Sequence, residues 1–409
     1  MFEQIIRGFL GVVVLIAVAT LLSTNRKAIK WKPVGYGLGL NLLFAFIVLR
    51  TGPGRLVFET ISQGLMEIIH YAGEGTRFVF GPLYTGFTQI PNFKGWPYAF
   101  VLDALVPIVF FAALIKVFYY YGIMQRIIET MSSLFRRIFG IDSVEALVTA
   151  SNVFLGQTQA PLVIAPYLKS MTTSQLFLTM VGGMATVGSG MVIVYAGMGA
   201  RVDYVLAASI MGAPAAIVFA KILVPETATL TPVTKMVEDK EAHGVNVLDA
   251  LALGGMEGWK AVVGVSVMLL AFVSLIHLLD GVLTAVSQGL LHLDTLLEYA
   301  FTPAAYVVGV PSADLAAFSR LVGAKTAFNE VIGFTGLKDA GLSPKGFMLA
   351  CFAMTGFANF SSIAIQIGTL GELVPQRRSE VAALGLRALL AATLANLLNA
   401  VIAGFLFVG

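Results

Sequence analysis

Apolar runs of about twenty residues recur along the whole chain, and they limit its possible folds more than any other feature. A helix that rises 1.5 Å per residue needs about twenty residues to cross the roughly 30 Å hydrocarbon layer of a membrane. Of the 409 residues, 57% are hydrophobic and 12% are charged, about half the charged share of an ordinary soluble domain. We therefore predict an all-α polytopic membrane protein.

Eight segments have the length and hydropathy of membrane-spanning helices. They are Ile5–Leu22, Val34–Val48, Tyr98–Tyr119, Leu176–Met198, Tyr204–Val224, Ala261–Leu279, Lys345–Gly368 and Ala382–Leu406. The first is too long and too poorly flanked for a cleaved signal, so it is expected to remain as a span. An even number puts both termini on one side. With the termini outside, thirteen Lys and Arg residues fall on cytoplasmic segments against eight outside, which follows the positive-inside rule.

The segment Gly122–Gly140 has apolar residues at helical spacing with basic residues between them. This pattern is typical of an amphipathic helix that lies in the headgroup plane. The alternative is that the segment forms the cytoplasmic end of the third span.

Two regions, Val144–Leu168 and about Leu297–Phe334, are apolar at both ends but interrupted by polar residues with Gly or Pro. The interruptions include Gly156–Pro161 and Val310–Leu315. Such breaks are tolerated at membrane depth only inside protein or along a watery cavity. Both regions are predicted to be re-entrant hairpins.

An internal repeat supports the two hairpins. Gln159 and Glu330 are 171 residues apart, and Ser189 and Asn359, each in the middle of a following span, are 170 apart. One extra span between the copies would invert the second copy. Paired interrupted segments in two inverted halves indicate the midplane site of a transporter. Chance agreement between Gly- and Ala-rich helices is the alternative.

Glu330 is a carboxylate in an apolar setting, where a charge costs at least about 2.5 kcal/mol. It is a candidate acceptor for a substrate hydroxyl or part of an ion path, and a structural pair with Lys325 is the alternative. Asn359, Ser361 and Ser362 offer uncharged donors and acceptors that suit a polyhydroxylated neutral ligand. Helix-to-helix hydrogen bonding is the alternative for Ser361. Among the nearby aromatic residues, Phe357 is the candidate for stacking on a planar ring.

Asn152 and Thr186, with the carbonyls of Leu155 and Val187, form a candidate oxygen cage for a small hard cation. Hard cations take oxygen ligands, and broken helices supply carbonyls at their ends. Sodium would need no acidic ligand. Helix capping by Asn152 is the alternative.

Several function classes lack support in the sequence. Cys351 is the single cysteine, so neither a disulfide framework nor a cysteine metal site is available. We find no phosphate loop and no nucleophilic triad, which argues against an enzyme and against any cofactor. The basic residues are scattered rather than gathered on one face, so no nucleic-acid partner is predicted.

Five stretches resemble the signature segments of concentrative nucleoside transporters, in order along the chain. They are Glu74–Leu83 (EGTRFVFGPL), Gly156–Pro161 (GQTQAP), Gly309–Leu315 (GVPSADL), Gly323–Glu330 (GAKTAFNE) and Gly356–Ser362 (GFANFSS). The resemblance covers essentially the whole chain, and the length matches bacterial members.

The resemblance implies a homotrimer of the bacterial inner membrane that imports nucleosides such as uridine or adenosine with sodium by an elevator movement. The charge distribution described above predicts that both termini are periplasmic. Residues 1–140 and 226–292 would form the scaffold and trimer contact, and residues 141–225 and 293–409 the two repeats of the mobile domain. Gln157, Thr158 and Gln159 would contact the nucleobase, and Glu330, Asn359 and Ser362 the ribose. The sodium ligands would be Asn152, Leu155, Thr186 and Val187.

Gln159 departs from the resemblance, because the family usually has a glutamate at this position. An amide can bond a base but offers no charged acceptor. A proton-coupled carrier of nucleosides or nucleobases with altered base selectivity is therefore the alternative function.

Overall fold

The structure, a computed structural model, describes residues 2–85, 101–228 and 244–407, and all regular secondary structure in these ranges is helical. The α-helices are α1 Phe2–Leu21, α2 Trp31–Arg50, α3 Gly52–Phe80, α4 Pro82–Thr85, α5 Pro107–Tyr120, α6 Ile123–Phe139, α7 Ser143–Leu155, α8 Ala160–Val163, α9 Thr173–Ala185, α10 Ser189–Gly197, α11 Val202–Leu223, α12 Val247–Val286, α13 Leu293–Val308, α14 Leu315–Ala327, α15 Glu330–Thr335, α16 Pro344–Met354, α17 Phe360–Leu373 and α18 Arg378–Leu406. The predicted all-α fold is confirmed.

Among the described residues, five helical segments are long and apolar enough to cross a membrane. They are Trp31–Arg50, Thr173–Gly197, Val202–Leu223, Val247–Val286 and Pro375–Leu406. α5 and α6 are long and apolar enough only when taken together as one bent span. The segments Ile6–Leu21 of α1, Ser143–Leu155 and Pro344–Met354 are apolar but shorter. The total of eight spans therefore stays a prediction. The start of the third predicted span at Tyr98 lies outside the described residues, as do Lys94, Lys235 and Lys240 of the charge count.

The amphipathic segment forms a helix of its own, α6, bent by 75° from α5. Gly122 separates the two helices in the left-handed conformation, with φ of 72°. The buried residues of α6 recur at helical spacing, and they are Met124, Ile128, Ser132, Phe135 and Phe139. The segment is thus not a straight continuation of the third span. Its position in the headgroup plane stays a prediction.

Two parts of the early and middle chain differ from the predictions. The 29-residue helix α3 was not predicted, because Arg55, Glu59 and Glu67 interrupt its apolar residues. The middle span Ala261–Leu279 is the centre of α12, which is 40 residues long and almost wholly unburied. The helix continues at both ends past Lys260 and Asp280, beyond the length that a membrane requires.

The boundaries of the second hairpin were predicted wrongly. The region from Leu297 does not begin a hairpin, because it belongs to the separate helix α13. That helix ends at Gly309, which has φ of 81°, and Pro311 follows. A left-handed glycine and then a proline are common helix stop signals. The hairpin consists of α14 and α15, with its tip at Phe328 and Asn329, and Val310–Leu315 is the connection that precedes it.

The order of elements in α7–α11 is repeated in α14–α18: a hairpin, an interrupted span and a long helix. The long helices α11 and α18 pack against each other and are largely buried. Gly212 of α11 permits a close approach to α9, since a Cβ there would lie 2.5 Å from Ala185 O. α18 packs against α9, α16 and α17, so both interrupted spans meet the same helix.

The first helices also contact this bundle, because α1 packs against α18 and α2 against α11. The most extensive remaining contact joins α5 to α12. The division into scaffold and mobile residues therefore stays a prediction.

Candidate functional site

The tip of the first hairpin is formed by residues 156–159, between α7 and α8. Gly156 has φ of 77°, a conformation that residues with a Cβ rarely adopt, and the helix ends there. Of the three predicted nucleobase contacts, Gln157 is buried and Thr158 and Gln159 are exposed. The following Pro161 lies in the first turn of α8.

The first interrupted span breaks at Thr186, Val187 and Gly188, between α9 and α10. The Thr186 hydroxyl lies 3.0 Å from Asn152 O and 2.9 Å from Gly182 O, and it ties the break to α7. The Ser209 hydroxyl of α11 donates to Val187 O at 3.1 Å. Gly188 packs on the end of α7, where a Cβ would lie 3.2 Å from Leu155 O. The four predicted sodium ligands thus lie around one junction.

Asn152 has the unsatisfied polar group that a cation ligand requires. Within the described part of the chain, neither Oδ1 nor Nδ2 of this buried side chain has a hydrogen-bond partner. Buried amides are normally bonded, so an orphaned amide oxygen is suited to an ion. Asn152 lies in the last turns of α7, whose N-cap is Asp142, so the capping alternative does not hold.

The tip of the second hairpin places Glu330 at the first position of α15. Asn329 is the N-cap, and its side chain accepts from Ile332 N at 2.9 Å. The Glu330 carboxylate therefore lies at a helix N-terminus, where the macrodipole favours negative charge. Glu330 is 3% exposed. Lys325 donates to Asn396 Oδ1 at 2.9 Å, and no ion pair of the described residues joins it to Glu330 within 4.0 Å.

The second interrupted span breaks between Thr355 and Asn359. Asn359 caps α17, and its Oδ1 accepts from Ser362 N at 2.9 Å and from the Ser361 hydroxyl at 2.7 Å. Its Nδ2 donates to Glu330 Oε2 at 2.7 Å. The cap therefore fixes the amide with its donor toward the carboxylate.

The two halves of the chain meet through side-chain hydrogen bonds. Gln157 Nε2 of the first hairpin donates to the Ser362 hydroxyl of the second break at 2.9 Å, and both residues are buried. Phe357 is half-buried beside the first tip, since a Cβ at Gly156 would lie 3.4 Å from its ring. Residues 205 positions apart in sequence thus form one polar centre.

The structure brings together most of the predicted substrate residues. Glu330 and Asn359 form one pair, Gln157 and Ser362 another, and Phe357 lies against the first tip. Thr158 and Gln159 lie exposed at that tip. The roles of all these residues stay predictions.

Sequence reasoning missed three further polar groups near the breaks. Gln366 Nε2 donates to Met180 O at 3.0 Å and lies 3.4 Å from Gln157 Oε1. Ser209 supports the first break, and Asn396 contacts both breaks. Each is a polar residue inside a predicted span, a signal that points to function or close packing in membrane helices.

Three family models match consecutive parts of the chain. "Na+ dependent nucleoside transporter N-terminus" matches residues 10–83, "Nucleoside recognition" matches 101–202, and "Na+ dependent nucleoside transporter C-terminus" matches 204–404.

Similar proteins span the full length of the chain. An uncharacterized transporter of Haemophilus influenzae is 41% identical, over 99% of this chain and 98% of its own length. The nucleoside permease NupC of Helicobacter pylori is 35% identical, over 98% of this chain and 97% of its own length. Among solved structures, an inward-facing substrate-bound CNTnw superposes with a TM-score of 0.94 at 37% identity, over 99% of this chain and 98% of that one. An outward-facing CNTnw variant also gives 0.94, at 36% identity and 99% of both chains.

Proposed function

The chain belongs to the concentrative nucleoside transporter family, and we propose that it is a secondary active symporter that imports nucleosides driven by a sodium gradient. The relatives are permeases and cotransporters rather than enzymes. Solved inward-facing and outward-facing structures similar to this chain support alternating access.

The main support for the proposal is one buried polar centre at which the two halves of the chain meet. Gln157 reaches Ser362 and Asn359 reaches Glu330, so the first hairpin, the second hairpin and the second break converge. Substrate sites of inverted-repeat transporters lie where discontinuous helices of the two halves meet.

The chemistry of this centre suits a nucleoside better than an ion or a lipid. Glu330, Asn359 and Ser362 provide a charged acceptor, an amide and a hydroxyl, which match the hydroxyls of a ribose. Gln157, Thr158 and Gln159 are the candidate hydrogen-bonding groups for the base, and Phe357 the candidate for stacking on it.

The sodium ion would bind at the junction of α7 with the first break. Asn152 Oδ1 supplies an unpartnered oxygen, the Thr186 hydroxyl lies at the same junction, and the carbonyls of Leu155 and Val187 complete the oxygen set. This donor set carries no formal charge, which suits a monovalent hard cation.

The movement proposed for the substrate is that of an elevator in each subunit of a homotrimer. Residues 141–225 and 293–409 would move as one body against a scaffold formed by residues 1–140 and 226–292. The unburied α12 would provide trimer and lipid contacts. We place this multi-pass protein in a bacterial inner membrane with both termini in the periplasm.

The proposal is tested by uptake of labelled uridine and adenosine into proteoliposomes, with an inward sodium gradient or an inward proton gradient imposed separately. Uptake driven by sodium alone is expected, and competition by nucleosides but not free bases should accompany it. Uptake driven by protons, or competition by free bases, would instead support the proton-coupled carrier. Glu330→Gln is the matched inactive variant, because it keeps the shape of the side chain and removes the charge.

A further inference from the structure

Asn396 of α18 contacts both interrupted spans with one side chain. Its Nδ2 donates to Ala185 O at 2.8 Å and to Thr355 O at 2.9 Å. Ala185 is the last residue of α9, and Thr355 is the C-cap of α16. One amide group therefore bonds the carbonyl ends of the two helices that precede the two breaks.

This contact satisfies groups that a broken helix leaves without partners. The last carbonyls of a helix have no intrahelical donor and carry the negative end of the macrodipole. Asn396 is 1% exposed, so water does not replace its bonds. A primary amide supplies two N–H donors and one acceptor, the set required to bond two carbonyls and one further donor.

The remaining atom of the amide connects the second hairpin. Asn396 Oδ1 accepts from Lys325 Nζ at 2.9 Å, and Lys325 is also 1% exposed. Lys325 lies in the last turn of α14, immediately before the tip that carries Glu330. Its ammonium group thus lies beside the bonded ends of α9 and α16.

Gly356 shows how closely the second break approaches Asn396. Its φ of 145° is unfavourable for residues with a Cβ, and a Cβ there would lie 2.4 Å from Asn396 Oδ1 and 2.6 Å from Nδ2. The backbone of the break therefore passes directly over the amide.

We propose that Asn396 is a positioning residue that couples the candidate cation site to the candidate nucleoside site. It fixes the first break, with Thr186 and Val187, relative to the second break and the second hairpin, with Asn359 and Glu330. Bound sodium would order the first break. Through the Asn396 amide, this would also order the residues proposed to bind the nucleoside. The coupling is reciprocal, because each ligand must change the affinity of the other by the same factor. The inference rests on the proposed function and deepens it by naming the residue that links the two ligands.

The variants to compare are Asn396→Ala, Asn396→Asp and Asn399→Ala. Asn396→Ala removes all three bonds, whereas Asn396→Asp keeps the volume and an acceptor for Lys325 but replaces the double donor. Asn399 is the matched control, since it is a buried asparagine less than one turn further along α18. Its Nδ2 donates to Ala208 O at 3.3 Å and its Oδ1 accepts from Asn41 Nδ2, so these bonds join it to neither break.

The measurement is uridine binding to the purified full-length protein by calorimetry, without sodium and with saturating sodium. The ratio of the two dissociation constants is the coupling factor. We expect it to fall at least tenfold in Asn396→Ala and Asn396→Asp, and to change less than threefold in Asn399→Ala. If Asn396→Ala does not fold, the isosteric Asn396→Asp variant decides the question.

Two outcomes would overturn the inference. A coupling factor that stays at the wild-type value while both affinities fall equally would show a purely structural role. A fall of the same size in Asn399→Ala would show that any buried asparagine of α18 has this effect. Failure of the proposed function itself is recognised separately, because the wild-type protein would then bind no uridine or bind it independently of sodium.

Discussion

Asn359 Nδ2 lies 2.7 Å from Glu330 Oε2, and this bond joins the second break to the tip of the second hairpin. Both residues lie at the start of a helix, since Asn359 is the N-cap of α17 and Glu330 is the first residue of α15. Two helix N-termini therefore converge on the buried carboxylate. The pair places a charged acceptor at a fixed position, and no ion pair within 4.0 Å joins it to a cationic side chain of the described residues.

Asn359→Ala should weaken uridine binding by about tenfold or more. A hydrogen bond to a charged group contributes about 1.5–3 kcal/mol, and its loss frees the Glu330 carboxylate to leave the binding geometry. Binding is measured by calorimetry in saturating sodium. Ser361→Ala is the matched control, because its hydroxyl bonds Asn359 Oδ1 while Ser362 N continues to hold that oxygen. Equal losses in the two variants would contradict this role for Asn359.

Ser362→Ala should raise the KM for uridine about three- to tenfold. The variant leaves Gln157 Nε2 without the hydroxyl that it bonds at 2.9 Å, and an unpaired buried donor costs about 1–3 kcal/mol. Initial uptake rates in proteoliposomes over a range of uridine concentrations give the KM. The sodium concentration for half-maximal uptake should stay within about twofold, since Ser362 lies in α17 and the candidate sodium ligands lie at the first break. A change confined to the sodium dependence would refute the assignment.

Asn152→Ala should raise the sodium concentration for half-maximal uptake by about tenfold, which corresponds to about 1.4 kcal/mol. The physical reason is the loss of the unpartnered amide oxygen at the junction of α7 and the first break. Uptake at varied sodium and fixed uridine provides the measurement. Thr149→Ala is the control on the same helix, because the Thr149 hydroxyl bonds Glu145 O within its own helix at 2.7 Å. An unchanged sodium dependence in Asn152→Ala would exclude the residue as a ligand.

Lys221→Met should destabilise the protein by about 3–5 kcal/mol, because it leaves the Glu145 carboxylate buried without its ion-pair partner. Lys221 also donates to the Ser174 hydroxyl at 3.1 Å, so the pair joins α7, α9 and α11. Thermal unfolding in detergent should show a lowered Tm that the double variant Glu145→Gln, Lys221→Met partly restores. Arg320→Ala, which removes a partly exposed pair with Glu298, should cost less than about 1 kcal/mol. Similar shifts in Lys221→Met and Arg320→Ala would argue against a structural role for the buried pair.

The sequence was sufficient to predict the main features of the fold because hydropathy and interruptions are local. Apolar runs identify most of the long helices. Gly156 and Gly356 mark the tip of the first hairpin and the second break by conformations that favour glycine. The same reasoning failed for α3, whose charged residues lower its hydropathy, although a continuous helix forms from Gly52 to Phe80. It also missed that Gly309 and Pro311 end one helix before the second hairpin begins.

The candidate site was less accessible from sequence, because its contacts join residues far apart along the chain. Gln157 and Ser362 are 205 positions apart, and Asn396 reaches Ala185 across 211. The residue types and the repeat offset indicate which segments carry polar groups. They do not indicate that Asn359 directs its donor to Glu330 while its acceptor caps a helix, since that depends on the local geometry of both helix starts.

The proposed transport requires that sodium and a nucleoside cross the membrane together. Its most direct test is the entry of radioactive sodium into proteoliposomes with and without external uridine. Uridine should increase sodium entry in the wild-type protein and have no effect in Glu330→Gln. Uridine uptake in the wild-type protein without any accompanying increase in sodium entry would contradict it.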